Sequence, residues 1–571
     1  MLATEPKFRK VPFPPVDLDV RQSADGTMFL SSKAPLELLA PTVAAGLFRR
    51  AEISPNKTAI AERGADGRWA SMNFAELRTA VANAAQWMLD HQAGPSTPIL
   101  FISGNSVAHA IVRFAALAIG APICPVSENY ALLGASSGYN RLLHAVRTVQ
   151  PSFVFAETGA FAQAVSAIDA DIHVITREPD AFQGAVSSFD DLINTPETEN
   201  VARTIAAMDP KKPAAYMLTS GSTGSPKAVI QTHAMMMVSV SHMSWLMGSN
   251  GVWDGGLLEW LPWSHVSGLY VSISAAVIGA PYYIDGGRPM PGLFDQTIAN
   301  IRDLNLKYFT NVPAGYAMLS RAMEQDRELR DHFFSEMQLM LFGGAALPAP
   351  VYELLQSQAV AATGQRVLMI SGYGATETTT GCMSPHYETE QPGIGLPLPG
   401  LEVKLVPQGA RYELRLRGPM ITPGYLGQED LNKQTFDPDG FYMTGDAAEF
   451  IDPARPEAGL KFAGRLKEDF KLATGTWVLG GALRIDILKA LGPEFMDLLI
   501  CGENRESVGV LAWPAPGAKI DMKAVGEKLS EFNAANPTSS RKIARFALLN
   551  DMPISEIGEL SAKGSVNQAL A

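Results

Sequence analysis

Chemistry is most legible between Tyr216 and His233, YMLTSGSTGSPKAVIQTH. There an apolar run leads into Thr219, Ser220, Gly221, Ser222, Thr223, Gly224, Ser225 and Pro226, then Lys227 and a second apolar run. This order predicts a strand, a hydroxyl-rich loop and another strand. Glycines let backbone N–H groups come close to a polyphosphate, Ser and Thr hydroxyls add neutral donors, and a lysine supplies a point charge. The segment is not the usual P-loop, which needs glycine directly before its lysine where this chain has Pro226. A Ser/Gly-rich stretch by itself reads as a flexible surface loop, but the strand flanks and Lys227 turn the reading towards a phosphate cradle.

Further clusters add to it. In SGYGATET, Ser371 to Thr378, Gly372 and Gly374 open a turn at a strand end and Tyr373 offers an aromatic face. Thr376 beside Glu377 offers a hydroxyl and a carboxylate able to hold a magnesium-bound phosphate. FYMTGD, Phe441 to Asp446, supplies a carboxylate that can accept from both hydroxyls of a ribose, and GRLKEDFKLATG, Gly464 to Gly475, supplies Arg465. Taken singly, the glycine pair lacks the third glycine of a dinucleotide fingerprint, and Asp446 with Arg465 reads as an ordinary turn salt bridge.

The elements that must position these groups follow from pattern. From Pro41 to about Pro210, helical patterns such as Phe74 to Leu89 alternate with β-rich runs such as Pro98 to Ile102 and Phe153 to Ala156, which predicts α/β structure with a largely parallel sheet. Between Gly393 and Gly445 the runs Leu401 to Val406 and Tyr412 to Arg417 predict a small β-rich subdomain. Beyond about Arg465, strands at Asp497 to Cys501 and Ser507 to Trp513 and a helix at Met522 to Phe532 predict a separate, smaller α+β domain. The expected units are residues 1–464 and 465–571. Leu269 to Ile284 reads as a buried helix running into a strand, too short and too interrupted for a membrane span, and the Met-rich Ala234 to Met247 reads as core packing.

Composition narrows the partners. Of 571 residues 47% are hydrophobic and 18% charged, enough for several cores, and the net charge of -12 without any Lys/Arg block argues against nucleic acid and membrane as partners. Cys124, Cys382 and Cys501 lie too far apart for a disulfide framework or a cysteine zinc site, and Met1 to Pro15 lacks the apolar core of a signal peptide. A cytoplasmic location is the expectation.

Together, in this order and at these separations, the clusters resemble the adenylate-forming enzymes: acyl-CoA synthetases, luciferases and peptide-synthetase adenylation domains. The resemblance runs from about Pro41 to the end of the chain. It implies a large N-terminal domain of two α/β subdomains and a β-rich one, then a small mobile α+β domain turning about a hinge near residues 465–469. It implies that the loop from Thr219 to Lys227 holds the β- and γ-phosphates of ATP and that Gly343, Gly344 and Ala345, with Tyr373 and Gly374, form the adenine slot. Thr376 would touch phosphate, Glu377 would bind Mg2+, and Asp446 with Arg465 would take the ribose. Lys467 would sit at the hinge, Lys471 would be presented for thioester formation with coenzyme A, and His265 in WLPWSHVSG would line the acyl channel. The partners implied are a carboxylic acid, ATP and coenzyme A, and a homodimer is compatible with all of this.

One departure stands out. The family usually ends in a Gly-Lys pair whose lysine reaches the acyl carboxylate and α-phosphate, whereas this chain has Gly558 and Glu559, a residue that repels both anions. Lys563, four residues later, is the expected catalytic substitute. Within the family the chain is most similar to feruloyl-CoA synthases, on FPPVDLDVRQSADGTMFLSS near the N-terminus, ISGNSVAHA around Asn105, EDFKLATGTWVLGGALR and the terminal GELSAKGSVNQ. Two other readings compete. GASSG, Gly134 to Gly138, fits the G-x-S-x-G of a hydrolase with Ser136 as nucleophile, and a chain disabled by Glu559 would be a non-catalytic nucleotide-binding protein.

Overall fold

The computed structural model describes residues 6–219, 226–248, 255–290, 292–344, 347–390, 392–492, 494–515 and 518–549. Its first layer is a seven-stranded sheet in the order Lys227–Thr232, Pro213–Thr219, Ile123–Pro125, Ile99–Ile102, Phe153–Ala156, His173–Thr176, Val186–Ser188, parallel except for the hairpin at the first edge. Ile99–Ile102 and Phe153–Ala156 are apolar at every position and buried along their whole length, as strands of a sheet covered on both faces must be. Helix Phe74–Asp90 begins with a capping box between Asn73 and Glu76, and helix Val107–Ile119 ends on Gly120, whose φ of 77° only glycine adopts readily.

The second layer joins two sheets. Leu257–Glu259, Tyr282–Ile284, Thr58–Arg63 and Trp69–Asn73 form one, and the parallel strands Tyr308–Asn311, Leu339–Phe342 and Leu368–Ser371 form the other, tied by a bridge between Gly256 and Leu306. Helices His233–Leu246 and Val266–Ile278 are buried nearly all round, so Met235, Met236 and Met237 are core side chains, as expected. Leu269 to Ile284 is a helix end running into the strand Tyr282–Ile284, and among the described residues no helix is long and apolar enough to cross a membrane.

The β-rich part is larger than the sequence pattern suggests. Its six antiparallel strands run Leu18–Gln22, Met28–Ser32, Glu402–Gln408, Arg411–Arg417, Tyr442–Phe450, Leu460–Arg465, so an N-terminal hairpin supplies one edge. The smaller C-terminal region holds the short ladder Phe470–Lys471 with Trp477–Val478, a sheet of Phe495–Cys501, Val508–Pro514 and Ile543–Leu548, and helices Gly480–Leu491 and Met522–Ala535 around its own apolar cluster.

The hydrolase alternative fails on geometry. A nucleophile elbow needs a strand feeding a sharp turn into a helix. Gly134–Ser137 is instead a 3-10 turn that follows the short helix Asn129–Leu132, and Ser136 is exposed upon it.

Candidate active site

The strands Pro213–Thr219 and Lys227–Thr232 pair so that Thr219 stands opposite Lys227 at the mouth of their loop. Ser220, Gly221, Ser222, Thr223 and Gly224 lie outside the described residues, as do Ala345, Glu559 and Lys563. Lys227 points its ammonium over the ring of Tyr425 at 5.3 Å, and the Tyr425 hydroxyl donates to Glu377 Oε1 at 2.9 Å. Tyr425 was not anticipated. It belongs to a segment that extends the sheet, because Ile230 N donates to Gly424 O at 3.1 Å and Leu426 N to Ala228 O at 2.9 Å. The Gly-Tyr pair at Gly424 and Tyr425 was the only signal in the sequence, and by itself it reads as a turn.

Glu377 sits in the 3-10 turn Thr376–Thr378. That turn is held from below by Gln231, fully buried, whose Nε2 donates to Thr376 O at 2.8 Å while its Oε1 accepts from the Tyr270 hydroxyl at 2.8 Å. One amide thus links helix Val266–Ile278 to the turn that carries Thr376 and Glu377. Gln231→Leu would strand the buried Tyr270 hydroxyl and take the donor from the part-buried Thr376 carbonyl, and should cost about 1–3 kcal/mol of stability. The shift of the urea midpoint at unchanged slope measures it.

Four residues before Glu377, Tyr373 donates its hydroxyl to Asp446 Oδ2 at 2.7 Å. Asp446 pairs in register with Arg465, whose Nε lies 3.7 Å from Oδ1; the arginine side chain is 69% exposed, so the ion pair by itself adds little. Burial pushes the Asp446 carboxyl above its usual range, and the Tyr373 hydroxyl and Arg465 draw it part of the way back. Gly374 can only be glycine, because a Cβ there would lie 1.8 Å from Thr380 O. Gly343 and Gly344 follow the strand Leu339–Phe342, and Gly344 has a φ of 84°.

His265 occupies the N-cap position of helix Val266–Ile278, at the end of the turn that begins with Trp260. That turn is clamped on both sides. Asn105 donates from Nδ2 to Leu261 O at 2.9 Å and accepts from Trp263 N at 3.0 Å, while buried Glu259 accepts from Trp260 N and Leu261 N, both at 3.0 Å. Burial raises the Glu259 carboxyl to about 8. Trp263 also covers the guanidinium of Arg113, 4.3 Å from its ring; Arg113 is fully buried and its nitrogens find no hydrogen-bond acceptor among the described residues.

The Asp446 group and the Lys227 group therefore meet across the Ser371 to Thr378 segment. The segment after Arg465 points elsewhere. Lys467 lies in the turn Leu466–Glu468, Asp469 pairs with buried Arg411, and Lys471 Nζ sits 4.9 Å over the ring of Trp477, an indole 57% exposed.

This arrangement of layers is the fold of adenylate-forming enzymes. ATP-bound MatB from Rhodopseudomonas palustris superposes on it with a TM-score of 0.72 at 21% identity, over 92% of this chain and 97% of that one. The chain belongs to the AMP-binding enzyme family, whose model matches residues 47–426. It is 29% identical to a probable CoA ligase, CCL8, of Humulus lupulus over 389 residues, 63% of this chain and 60% of that ligase. It is 23% identical to 4-coumarate--CoA ligase-like 9 of Arabidopsis thaliana over 472 residues, 80% of this chain and 78% of that protein.

The donor set bears on magnesium. Among the described residues no group of three or more His, Cys, Asp or Glu side chains could hold a metal ion. One carboxylate, Glu377, suits a cation that arrives on a triphosphate and keeps phosphate and water ligands, which is how Mg2+ is ordinarily held.

Proposed function

We propose that this chain joins a carboxylic acid to coenzyme A at the expense of ATP, through an acyl-adenylate, and that the acid is ferulate or a related hydroxycinnamate. The observation that carries the first part is the Tyr373 hydroxyl on Asp446, four residues along the same segment from Glu377, which faces Lys227 across Tyr425. That seam offers a carboxylate for a ribose at one end and a cation with a second carboxylate for a metal-bearing triphosphate at the other.

The chemistry answers a real difficulty. A carboxylate is a poor electrophile, since its charge repels nucleophiles and its oxide leaves badly. In the first step a carboxylate oxygen attacks the α-phosphorus and the bond to the bridging oxygen of pyrophosphate breaks, leaving a mixed anhydride. Lys227, with Thr219 and the hydroxyls of its loop, would neutralise and orient the departing charge, and Thr376 would orient the nucleotide's phosphate. Glu377 would hold magnesium, which supplies further neutralisation of the triphosphate when bound. Asp446 and Arg465 would fix the ribose, and Tyr373 with Gly343 and Gly344 the adenine. In the second step the thiol of coenzyme A attacks the acyl carbon and AMP leaves with the electron pair of the broken C–O bond.

The finer reading is supported by the resemblance of several segments to feruloyl-CoA synthases and by the clamped aromatic turn Trp260 to His265, which would line the acid's site. The test is a panel of cinnamic, benzoic and aliphatic acids in ATP-pyrophosphate exchange, followed by loss of free coenzyme A thiol. Exchange and thiol loss with hydroxycinnamates are the expected results. Exchange confined to fatty or other aryl acids would sink the hydroxycinnamate assignment alone, and ATP binding without exchange on any acid would leave a nucleotide-binding protein.

A further inference from the structure

Lys227 and Glu377 present the site with a hazard. They are opposite charges that a nucleotide needs apart, the lysine for phosphate oxygens and the glutamate for a cation, and in a partly buried setting they attract strongly. An ion pair between them would neutralise both before any substrate arrived. Among the described residues they make no such pair, and Tyr425 is what stands between them: the ammonium lies over its ring at 5.3 Å and the carboxylate accepts from its hydroxyl at 2.9 Å.

Tyr425 is held firmly enough to serve. Its backbone bridges Val229, two residues along the strand from Lys227. Asn432 clamps both of its backbone polar groups, Oδ1 accepting from Tyr425 N at 2.8 Å and Nδ2 donating to Tyr425 O at 3.0 Å. Gly424 allows that approach, since a Cβ there would lie 2.5 Å from Asn432 Oδ1. The ring is buried, so its position over Lys227 and its hydroxyl on Glu377 are fixed by packing as well as by these backbone contacts.

We propose that Tyr425 is a positioning residue that keeps Lys227 and Glu377 separate and ready, the ring seating the cation and the hydroxyl seating the carboxylate until a nucleotide engages both. This rests on the nucleotide reading of the site. It predicts a cost that falls on ATP affinity in the absence of metal, and a particular rescue.

The experiment is calorimetric titration of ATP in excess chelator. Tyr425→Leu, which removes both seats, should weaken ATP about tenfold or more, because Lys227 collapses onto Glu377. Tyr425→Phe, which keeps the ring, should stay within about threefold of the unmodified chain. Glu377→Gln removes the competing anion, so Tyr425→Leu combined with Glu377→Gln should bind ATP as tightly as Glu377→Gln alone. A merely structural lesion would not be repaired in this way. A double variant as weak as Tyr425→Leu overturns the proposal, as does a Tyr425→Leu protein that binds ATP like the unmodified chain. An unmodified chain that binds no ATP overturns the nucleotide reading itself, a different and distinguishable failure.

Discussion

Asp446→Ala should lower kcat/KM for ATP in pyrophosphate exchange by at least about a hundredfold, because the proposed ribose contact would lose two hydrogen bonds to a charged acceptor, each worth about 1.5–3 kcal/mol. The loss should appear on ATP and leave KM for the acid near its original value. The same carboxyl sets a pH dependence. Burial raises its pKa, so the folded chain keeps this proton in a pH range where the unfolded chain has already released it. Its contribution to stability is therefore greatest at acid pH and is lost as pH rises through the raised value. Nucleotide binding through the proposed ribose contact runs the opposite way, since that contact needs the ionised acceptor, and should weaken as pH falls through that value. Tyr373→Phe removes the hydroxyl that holds the pKa down, so the acid limb of ATP binding should move to higher pH; titrations across pH read the shift. A limb that stays in place, or moves down, would mean that another group controls it.

Asp446 and Arg465 illustrate what local sequence can carry. FYMTGD and GRLKEDFKLATG mark both residues as turn positions that local sequence announces, although only the fold shows them opposite one another on adjacent strands of one antiparallel sheet. The same holds for the hydroxyl-rich loop, whose apolar flanks announce a hairpin. Tyr425 is different. Its hydroxyl meets Glu377 from 48 positions away, and its ring meets a lysine at the far end of another strand, so its job exists only after the layers assemble. The N-terminal hairpin was missed for a related reason. Met28 pairs with Leu405 and Leu30 with Val403, contacts of high sequence separation, while Leu18–Gln22 is half exposed and its short Leu-Asp-Val-Arg alternation is too brief to announce a strand by itself. Arg113 hides inside an apolar helix, and nothing around it in sequence reveals that a tryptophan from a distant turn covers it.

The largest division of labour concerns Lys471. In this arrangement its ammonium rests on the exposed indole of Trp477, opposite it in the ladder Phe470–Lys471 with Trp477–Val478, and the structure gives it no contact with Asp446 or Glu377. On the proposed reading a cation so placed takes no part in expelling pyrophosphate. On that reading it reaches the seam when the segment after Arg465 turns, which would part Asp469 from Arg411, whose Nη1 also donates to Ala463 O at 2.8 Å. Arg411 and Asp469 are nearly buried, yet Arg411 Nε and Asp469 Oδ1 lack partners among the described residues, so the pair is less well satisfied than a permanent buried ion pair needs to be. Lys471→Ala should therefore leave ATP-pyrophosphate exchange within about twofold of the unmodified chain while lowering thioester output about a hundredfold, the scale of losing one group that stabilises developing charge. Parallel assays of exchange and of coenzyme A thiol consumption separate the two. Equal losses in both would place Lys471 in the first step, and unchanged thioester output would remove it from the second.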